Sequence, residues 1–449
     1  MSVHAPGTRW YNAVWRWHFY AGLLCVPLVL WLAVTGTIYT WRPQIEAWLE
    51  RPYEHLAPHG PRVSPDAIVA AALAAVPGAR LHKYQLPAAP DDAVQVLVGR
   101  HGAETRVWLD PTTARVLKAE AEEQRPMRVV FHLHGELLAG PAGSVLVETA
   151  ACWAIVMLLT GLYLWWPRGR RGLAGVLYPR LGGGKRLFWR DIHAVAGIWV
   201  SFAALFLIVT GLPWAQAWGS YLGEIRQVTG TTDGPVDWTI GGRSPAPAAD
   251  PMLGDHAEHR GMTMAHVAPR PGELARVIAA VRPLGIAAPV MIAPPLAGKT
   301  AWTATSDAAD RPQRSEAVID GATGAVLARK TFAERHWIDR AIGTGVAIHE
   351  GAFFGLANQI AGTLTALLLA ILSVSGTVLW WRRRPTGLLG APLPLSRPRF
   401  GWGLIAAIVA LGLYLPMFGA TLIAVLLVER AVLGRLPGAR RWLGLKATA

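Results

Sequence analysis

Two pairs of repeated apolar segments constrain the fold of this 449-residue chain more than any other feature. His18 opens one segment and His193 opens its copy, while His134 and His349 precede the segments of a second pair. The distances from each histidine to the residues after it are the same in both copies. The repeated residues are Gly22 and Gly197, Thr35-Gly36 and Thr210-Gly211, Gly140 and Gly355, Gly161 and Gly376, and Trp165-Trp166 and Trp380-Trp381. We therefore predict a tandem duplication with one histidine near the start of each of four apolar segments.

The composition is that of an integral membrane protein. Apolar residues make up 52% of the chain, charged residues only 16%, and the mean hydropathy is +0.31. Uninterrupted apolar runs are long enough to cross a hydrocarbon core of about 30 Å. Tryptophans lie at many of their ends, as expected at a membrane interface. The predicted spans are residues 18–41, 144–166, 191–214 and 352–381.

The net charge of +14 does not indicate nucleic-acid binding, because its distribution matches a membrane topology. Nineteen of the 43 basic residues lie in short segments next to the spans. In the rest of the chain, the 24 basic residues are outnumbered by 29 acidic residues. Short basic loops stay in the cytoplasm. We therefore predict a multi-pass protein of a bacterial inner membrane with a cytoplasmic N-terminus. The predicted cytoplasmic segments are 1–17, 167–190, 382–400 and 431–449, and the predicted periplasmic segments are 42–143 and 215–351.

A fifth apolar stretch, residues 401–430, is predicted to enter the membrane and return as a short hairpin that turns at Leu415-Pro416-Met417. A single span would place the basic tail outside, against the charge rule. The first span is too long for a cleaved signal peptide and is predicted to be an anchor. Cys25 and Cys152 lie in or beside spans, so we expect no structural disulfide.

Both periplasmic segments are predicted to be small α+β modules, each with a helix followed by alternating strands and a hairpin. Asp110-Pro111-Thr112-Thr113 and Asp320-Gly321-Ala322-Thr323 are predicted to form equivalent turns. An insert at about 231–270 gathers side chains that suit a soft metal such as copper, although a polar loop is the simpler interpretation. These side chains are Met252, His256, His259, Met262, Met264 and His266.

The turn sequence DGATGAVL resembles a PepSY module. The segments HFYAGL, HGELLAG, DIHAVAGIW and IHEGAFFG, with WWPR and WWRRRP closing two spans, resemble the PepSY-associated transmembrane family. That family includes iron-regulated inner-membrane proteins and ferric-siderophore reductases. The predicted fold class is therefore mainly α: a polytopic helical bundle with a tandem repeat and two small PepSY-like periplasmic α+β modules.

The predicted topology places His18 and His193 near the cytoplasmic face, and His134 and His349 near the outer face. Two histidines at one depth on different helices can bind a haem iron from both sides. We therefore predict two b-type haems, with Gly22 and Gly197 leaving room for the macrocycle. The competing interpretation is an ordinary interfacial histidine, since amphipathic rings are common at that depth. His132 is the lower-ranked alternative to His134, because Ala347 occupies the equivalent position in the repeat.

Several charged positions near the predicted haems have ordinary explanations. Glu136 and Glu350 lie beside the outer histidines and can orient a ring or contact a substrate, or can simply be solvated. Arg168 and the run Arg382-Arg383-Arg384 set the topology and can also meet haem propionates or an acidic donor.

The predicted function is that of a haem-b reductase that moves electrons outward, and the resemblance implies a ferric-siderophore acceptor. The inner loops are too short for a flavin or nicotinamide domain, so a quinol or a cytoplasmic reductase must donate the electrons. Two alternatives stay open. One is a non-catalytic PepSY membrane protein that binds peptides or restrains a protease. The other is a di-haem cytochrome subunit serving another acceptor, such as copper.

Overall fold

The computed structural model describes residues 6–168, 172–231, 268–395 and 401–445. The chain divides into two compact units. A helix unit comprises residues 1–37, 133–219 and 360–449, and a sheet unit comprises residues 38–132 and 220–359. The Met/His-rich part of the predicted insert, from Met252 to His266, lies outside the described residues.

Long apolar helices dominate the helix unit. Their lengths, at about 1.5 Å per residue, suffice to cross the apolar core of a bilayer. The helices that include residues of this unit are α1 (Pro6–Thr40), α4 (Pro126–Glu136), α5 (Gly140–Trp165), α6 (Lys185–Gly211), α7 (Gln216–Val228), α10 (Gly355–Arg383), α11 (Trp402–Tyr414), α12 (Pro416–Ala431) and α13 (Pro437–Leu443). Among the described residues, five helical segments are long and apolar enough to span a membrane: Arg9–Thr40, Gly140–Trp165, Lys185–Trp214, Gly355–Arg383 and Pro416–Arg435. The prediction of a multi-pass membrane protein is thus confirmed.

Three of these helices begin before the spans that the hydropathy pattern predicted. Helix α1 starts at Pro6, before residue 18, α5 starts at Gly140, before residue 144, and α6 starts at Lys185, before residue 191. Hydropathy marks only the apolar part of a helix, whereas interfacial arginines and tryptophans continue the same helix outward. His18 and His193 therefore lie within helices, two to three turns from the N-terminal ends.

The stretch 401–430 folds back on itself at Leu415, where the sequence predicts a turn. Pro416 disfavours helical geometry at the preceding residue, and Leu415 adopts φ −116° and ψ 84°. In a continuous helix Gly412 and Gly419 would lie about 10 Å apart. A Cβ atom on Gly412 would instead lie 3.4 Å from the Cα atom of Gly419, so the two helices run back along each other. Leu415 and Phe418 are buried with Cys152 of α5 and Leu212 after α6.

Within the described ranges, the sheet unit contains one antiparallel sheet of eight strands. Its strand order is β4-β3-β2-β1-β5-β6-β7-β8. The strands are β1 (Arg80–Leu86), β2 (Val94–Arg100), β3 (Ala103–Leu109), β4 (Val116–Ala121), β5 (Val290–Ala293), β6 (Ala301–Ser306), β7 (Ser315–Asp320) and β8 (Val326–Thr331). The helices of this unit that remain are α2 (Arg42–Glu50), α3 (Pro65–Ala75), α8 (Glu273–Val281) and α9 (Trp337–His349).

The two segments that were predicted to be small α+β modules contribute their strands to one continuous sheet. Strands β1 and β5 pair directly, with Tyr84 opposite Ile292 and Leu86 opposite Val290. Each half alone would leave one of these strands as an unpaired edge, and their pairing satisfies both edges. One hydrophobic core contains residues of α3, of α8 and of both halves of the sheet. The Asp66 carboxylate of α3 also accepts the backbone N–H of Gly272 at 2.7 Å, next to the start of α8.

The predicted turns lie after β3 and β7. The Asp110 carboxylate accepts the backbone N–H groups of Thr112 and Thr113 at 2.8 and 3.0 Å. The Asp320 carboxylate accepts the backbone N–H and the hydroxyl of Thr323 at 2.7 and 2.8 Å. A short polar side chain that bonds locally in this way stabilises a tight turn.

We expect Gly419→Leu to open the hairpin of α11 and α12, because a Cβ atom at Gly419 would lie 2.8 Å from the carbonyl oxygen of Gly412. Forcing a side chain into such a contact typically costs about 1–3 kcal/mol. Thermal unfolding in detergent should show a lower melting temperature. Gly403→Leu is the matched control, since a Cβ atom there meets nothing within 4 Å. Equal melting temperatures for the two variants would contradict this packing.

We also expect the sheet unit to lose stability in acid through Glu122. Burial by itself would raise the pKa of Glu122, but the guanidinium groups of Arg106 and Arg125 outweigh it and lower the pKa to about 2. An unfolded glutamate titrates near pH 4.3. The stabilising contribution is therefore complete above about pH 4.3 and is lost as the pH falls towards 2.

The measurement is thermal unfolding followed by near-ultraviolet circular dichroism between pH 2.5 and pH 7. Glu122→Gln should reduce the dependence of the melting temperature on pH. Glu54→Gln, at an exposed position, should leave it as in the unmodified protein. An unchanged dependence in Glu122→Gln would show that the pair with Arg106 contributes nothing.

Candidate functional site

His18 of α1 and His193 of α6 face each other inside the helix unit. Their ring centres lie 6.3 Å apart and their ring planes are inclined at 76°. Both side chains are partly buried. The two positions are equivalent in the sequence repeat, so the fold brings together the histidines that were predicted to form the inner pair.

Each of these two rings binds a main-chain carbonyl of a neighbouring helix. His18 Nδ1 lies 3.0 Å from the carbonyl oxygen of Met157 in α5, and His193 Nδ1 lies 3.1 Å from that of Leu372 in α10. A carbonyl oxygen only accepts, so Nδ1 must carry the proton in both neutral rings. Nε2 then presents a lone pair, which is the form of histidine that binds a metal.

A hydroxyl and a glycine complete the surroundings of each ring. Thr160 Oγ1 lies 3.2 Å from His18 Nδ1, and Ser375 Oγ lies 3.2 Å from His193 Nδ1. The next residues are Gly161 and Gly376. A Cβ atom on either glycine would lie 3.1 Å from the Cε1 atom of the histidine ring, which is tighter than nine in ten Cβ contacts.

The separation of the two ring centres is compatible with one metal ion between them. A metal–imidazole bond is about 2.0 Å long and the nitrogen lies about 1.1 Å from the ring centre, so two imidazoles on opposite sides of one ion have centres about 6.2 Å apart. The observed separation is 6.3 Å, which is also an ordinary distance for an edge-to-face pair of aromatic rings. The donor set fits as well, because two neutral imidazole nitrogens are a common axial pair for haem iron.

Gly22 on α1 and Gly197 on α6 lie one helical turn after the two histidines and face α5 and α10. A Cβ atom on Gly22 would lie 3.9 Å from Met157 Sδ, and one on Gly197 would lie 3.6 Å from Leu372 Cδ1. These are ordinary van der Waals distances to the residues whose carbonyls bind the histidine rings. The room for a macrocycle that the sequence suggested here stays a prediction.

His134 has the same kind of surroundings on α4. Its Nδ1 lies 3.0 Å from Thr35 Oγ1, and a Cβ atom on Gly36 would lie 3.0 Å from its Cε1 atom. The Thr35 hydroxyl donates to the carbonyl of Trp31 at 2.9 Å, so its oxygen accepts from His134. The Thr35 hydroxyl therefore helps to orient the His134 ring through Nδ1.

His132 contacts a carboxylate. Its Nε2 lies 2.6 Å from a carboxylate oxygen of Glu123, and the other oxygen of Glu123 accepts from Arg128 at 3.1 Å. Burial would raise the pKa of Glu123, but Arg128 and His132 together lower it. This contact gives His132 an ordinary partner, and its place as the lower-ranked alternative to His134 stays a prediction.

His349 is the last residue of α9, in the sheet unit. The corner after it is fixed by Asn358, which donates to the carbonyl of Ile348 at 2.8 Å. Glu350 lies 3.7 Å from the buried guanidinium of Arg311. His134 belongs to the helix unit and His349 to the sheet unit, so the predicted outer pair stays a prediction. Glu136 is the last residue of α4.

Arginines at the ends of the spans stack on aromatic rings. The Arg168 guanidinium lies 4.3 Å from the ring centre of Tyr163, Arg383 lies 4.5 Å from that of Trp15, and Arg384 lies 3.9 Å from that of Trp381. Such stacking holds a cation at the membrane interface. The role in topology that the sequence suggested is compatible with these contacts.

Sequence reasoning missed the residues that orient the histidines. Each of the four apolar helices contains a hydroxyl residue followed by glycine: Thr35-Gly36, Thr160-Gly161, Thr210-Gly211 and Ser375-Gly376. The repeat made some of these positions visible, but distances along the chain do not show which histidine a dipeptide meets. Thr35-Gly36 follows His18 on the same helix, but both residues contact the ring of His134 on another helix.

One further group with ligand atoms close together was also missed. His55, Asp91 and Asp92 place their ligand atoms within 4.8 Å of one another on the surface of the sheet unit. His55 Nδ1 lies 3.0 Å from Asp91, and this hydrogen bond lowers the pKa of the Asp91 carboxyl. An exposed pair that satisfies itself in this way needs no metal.

The carbonyl contacts predict the tautomer of the inner histidines. In cofactor-free protein with ¹⁵N-labelled histidine, the side-chain shifts of His18 and His193 should show a protonated Nδ1 and an unprotonated Nε2. Single glutamine variants at the two positions assign the signals. A protonated Nε2 in either ring would contradict the hydrogen bonds to Met157 and Leu372.

Comparison with known proteins supplies a family. A family model described as the PepSY-associated TM region matches residues 15–383, a range that includes His18, His134, His193 and His349. A search of curated proteins finds no significant match. Because the matched range covers most of the chain, this protein belongs to the PepSY-associated TM region family.

Proposed function

We propose that this protein is a haem-b reductase of a bacterial inner membrane, which passes electrons outward to a periplasmic ferric siderophore. The observation that carries the proposal is the inner histidine pair, with ring centres 6.3 Å apart and each Nδ1 held by a main-chain carbonyl. At these two positions of apolar helices, leucine or phenylalanine would cost less free energy to bury than histidine does. A pair of neutral imidazoles with fixed tautomers is the arrangement that an axial-ligand site requires.

The protein's part is to hold and orient the ligands and to exclude water. His18 and His193 would bind the iron of the inner haem through Nε2, and His134 and His349 would bind that of the outer haem. A bound haem supplies one-electron transfer at a potential set by its axial ligands and their hydrogen bonds. Met157 and Leu372 fix the inner tautomers, and the buried Ala21, Ala196 and Val200 keep the neighbouring helix faces apolar.

The acceptor is proposed from the chemistry of iron chelates and from the likeness to ferric-siderophore reductases. One electron converts ferric to ferrous iron, and oxygen-rich chelators hold ferrous iron far less tightly. No acid or base of the protein has to take part in that step. The electron donor is a quinol or a cytoplasmic reductase, because the short loops between the spans have no room for a flavin domain.

Topology and duplication are part of the same proposal. The basic segments next to the spans favour a cytoplasmic N-terminus, with residues 42–143 and 215–351 in the periplasm. The mirror-symmetric strand order about the β1–β5 pair supports a tandem repeat with two PepSY-like halves. Lipid is the solvent for the apolar helix faces.

The alternatives make different predictions about haem content and about oxidation of the haem by ferric siderophores. A non-catalytic PepSY membrane protein that binds peptides or restrains a protease would carry no haem. A cytochrome subunit serving another acceptor, such as copper, would carry haem that ferric siderophores do not oxidise.

We expect detergent-purified protein from haem-supplied cells to contain two b-type haems per chain, measured by the pyridine haemochrome assay. His18→Ala and His193→Ala should each lower the content to about one, because each removes one axial ligand of the same iron. His59→Ala is the control, since His59 is exposed and makes its hydrogen bond through the main chain. Mixing the reduced protein with a ferric siderophore should reoxidise it.

A colourless protein from such cells would overturn the reductase proposal and favour the peptide-binding alternative. A two-haem protein that ferric siderophores do not oxidise would favour the cytochrome alternative. Loss of haem in His59→Ala to the same extent as in His18→Ala would show that the losses report unfolding instead of ligation.

A further inference from the structure

We infer that Thr160 and Ser375 are positioning residues that set the reduction potential of the inner site through a shared hydrogen bond to the ligand histidines. The inference rests on the proposed function, since it assigns a redox role to residues around His18 and His193. Neither residue touches the metal position. Each acts through the histidine beside it.

At both rings the donor Nδ1–H lies close to two acceptors, a main-chain carbonyl oxygen and a hydroxyl oxygen. His18 Nδ1 lies 3.0 Å from Met157 O and 3.2 Å from Thr160 Oγ1. His193 Nδ1 lies 3.1 Å from Leu372 O and 3.2 Å from Ser375 Oγ. In both cases the hydroxyl and the carbonyl come from the same turn of the neighbouring helix.

The direction of the hydroxyl bond is set by the partner of its own proton. Thr160 donates to the carbonyl of Val156 at 2.7 Å, with that of Met157 at 3.0 Å, and Ser375 donates to that of Leu372 at 3.0 Å. With the hydroxyl hydrogen committed to the helix, the oxygen offers a lone pair to the histidine. Nδ1–H is thus shared between two acceptors, the main-chain carbonyl oxygen and the hydroxyl oxygen.

Two other hydroxyls in the same helices bond to the preceding turn of their own helix. Thr149 of α5 donates to the carbonyl of Val145, and Thr365 of α10 donates to that of Ala361, both at 2.8 Å. These bonds are the usual ones of a hydroxyl in an apolar helix. Thr160 and Ser375 differ because each lies beside a ligand ring and is followed by the glycine that lets the ring approach.

The effect on potential has a definite sign. Donation from Nδ1–H to an acceptor makes the imidazole a more basic ligand, which stabilises the oxidised metal. Removing one of two acceptors weakens that donation. The reduction potential of the inner site should therefore rise when the hydroxyl is removed, while the carbonyl keeps the tautomer and the ligation unchanged.

The experiment is a spectroelectrochemical titration of the full-length, haem-loaded protein in detergent, fitted with two midpoint potentials. Thr160→Val and Ser375→Ala should each move one midpoint to a higher potential and leave the other in place, and the double variant should move the same midpoint further. Thr149→Val and Thr365→Val are the matched controls and should titrate as the unmodified protein. Thr160→Ser and Ser375→Thr keep the hydroxyl and should restore the original midpoint.

A second measurement separates tuning from disruption. The low-temperature electron paramagnetic resonance spectrum of the oxidised Thr160→Val and Ser375→Ala proteins should stay low-spin, as expected for two retained histidine ligands. Haem-loaded variants whose midpoints coincide with those of the controls would overturn this inference and leave the proposed function standing. Absence of haem in the unmodified protein would overturn both.

Discussion

A hydrogen bond between a histidine and the main-chain carbonyl of a neighbouring helix is the interaction on which the inner site depends. Nδ1–H donates at 3.0 Å to Met157 from His18 and at 3.1 Å to Leu372 from His193. In an apolar interior an imidazole without a partner would be costly, and the carbonyl offsets that cost without any charged group. Because the acceptor is part of the backbone of α5 or α10, the ring is fixed by the packing of whole helices.

The glycines make this arrangement sterically possible. Gly161 and Gly376 let α5 and α10 approach the two rings, and Gly22 and Gly197 lie one helical turn beyond the histidines against Met157 and Leu372. The backbone of the neighbouring helix therefore comes close enough to accept a hydrogen bond. The same arrangement is found on two pairs of helices, and the two histidine rings lie edge to face with their centres 6.3 Å apart.

Periodicity and the internal repeat were enough to predict the apolar helices, the turns at Asp110 and Asp320 and the proximity of His18 to His193. Neither signal reports contacts between residues far apart in the chain. The pairing of β1 with β5, which joins the two expected modules into one sheet, satisfies two edges that lie about 200 residues apart. The hydroxyl–glycine dipeptides can be recognised in the sequence, but their histidine partners depend on how the helices pack. Thr35 contacts His134, and Thr160 contacts His18.

The central claim is that His18 and His193 bind one iron between them. The most direct test is an experimental structure of protein purified from haem-supplied cells, with anomalous scattering recorded on both sides of the iron absorption edge. We expect an iron peak midway between the two Nε2 atoms, with planar density between the rings. The claim would be contradicted if the two rings were in direct contact and no iron peak lay between them.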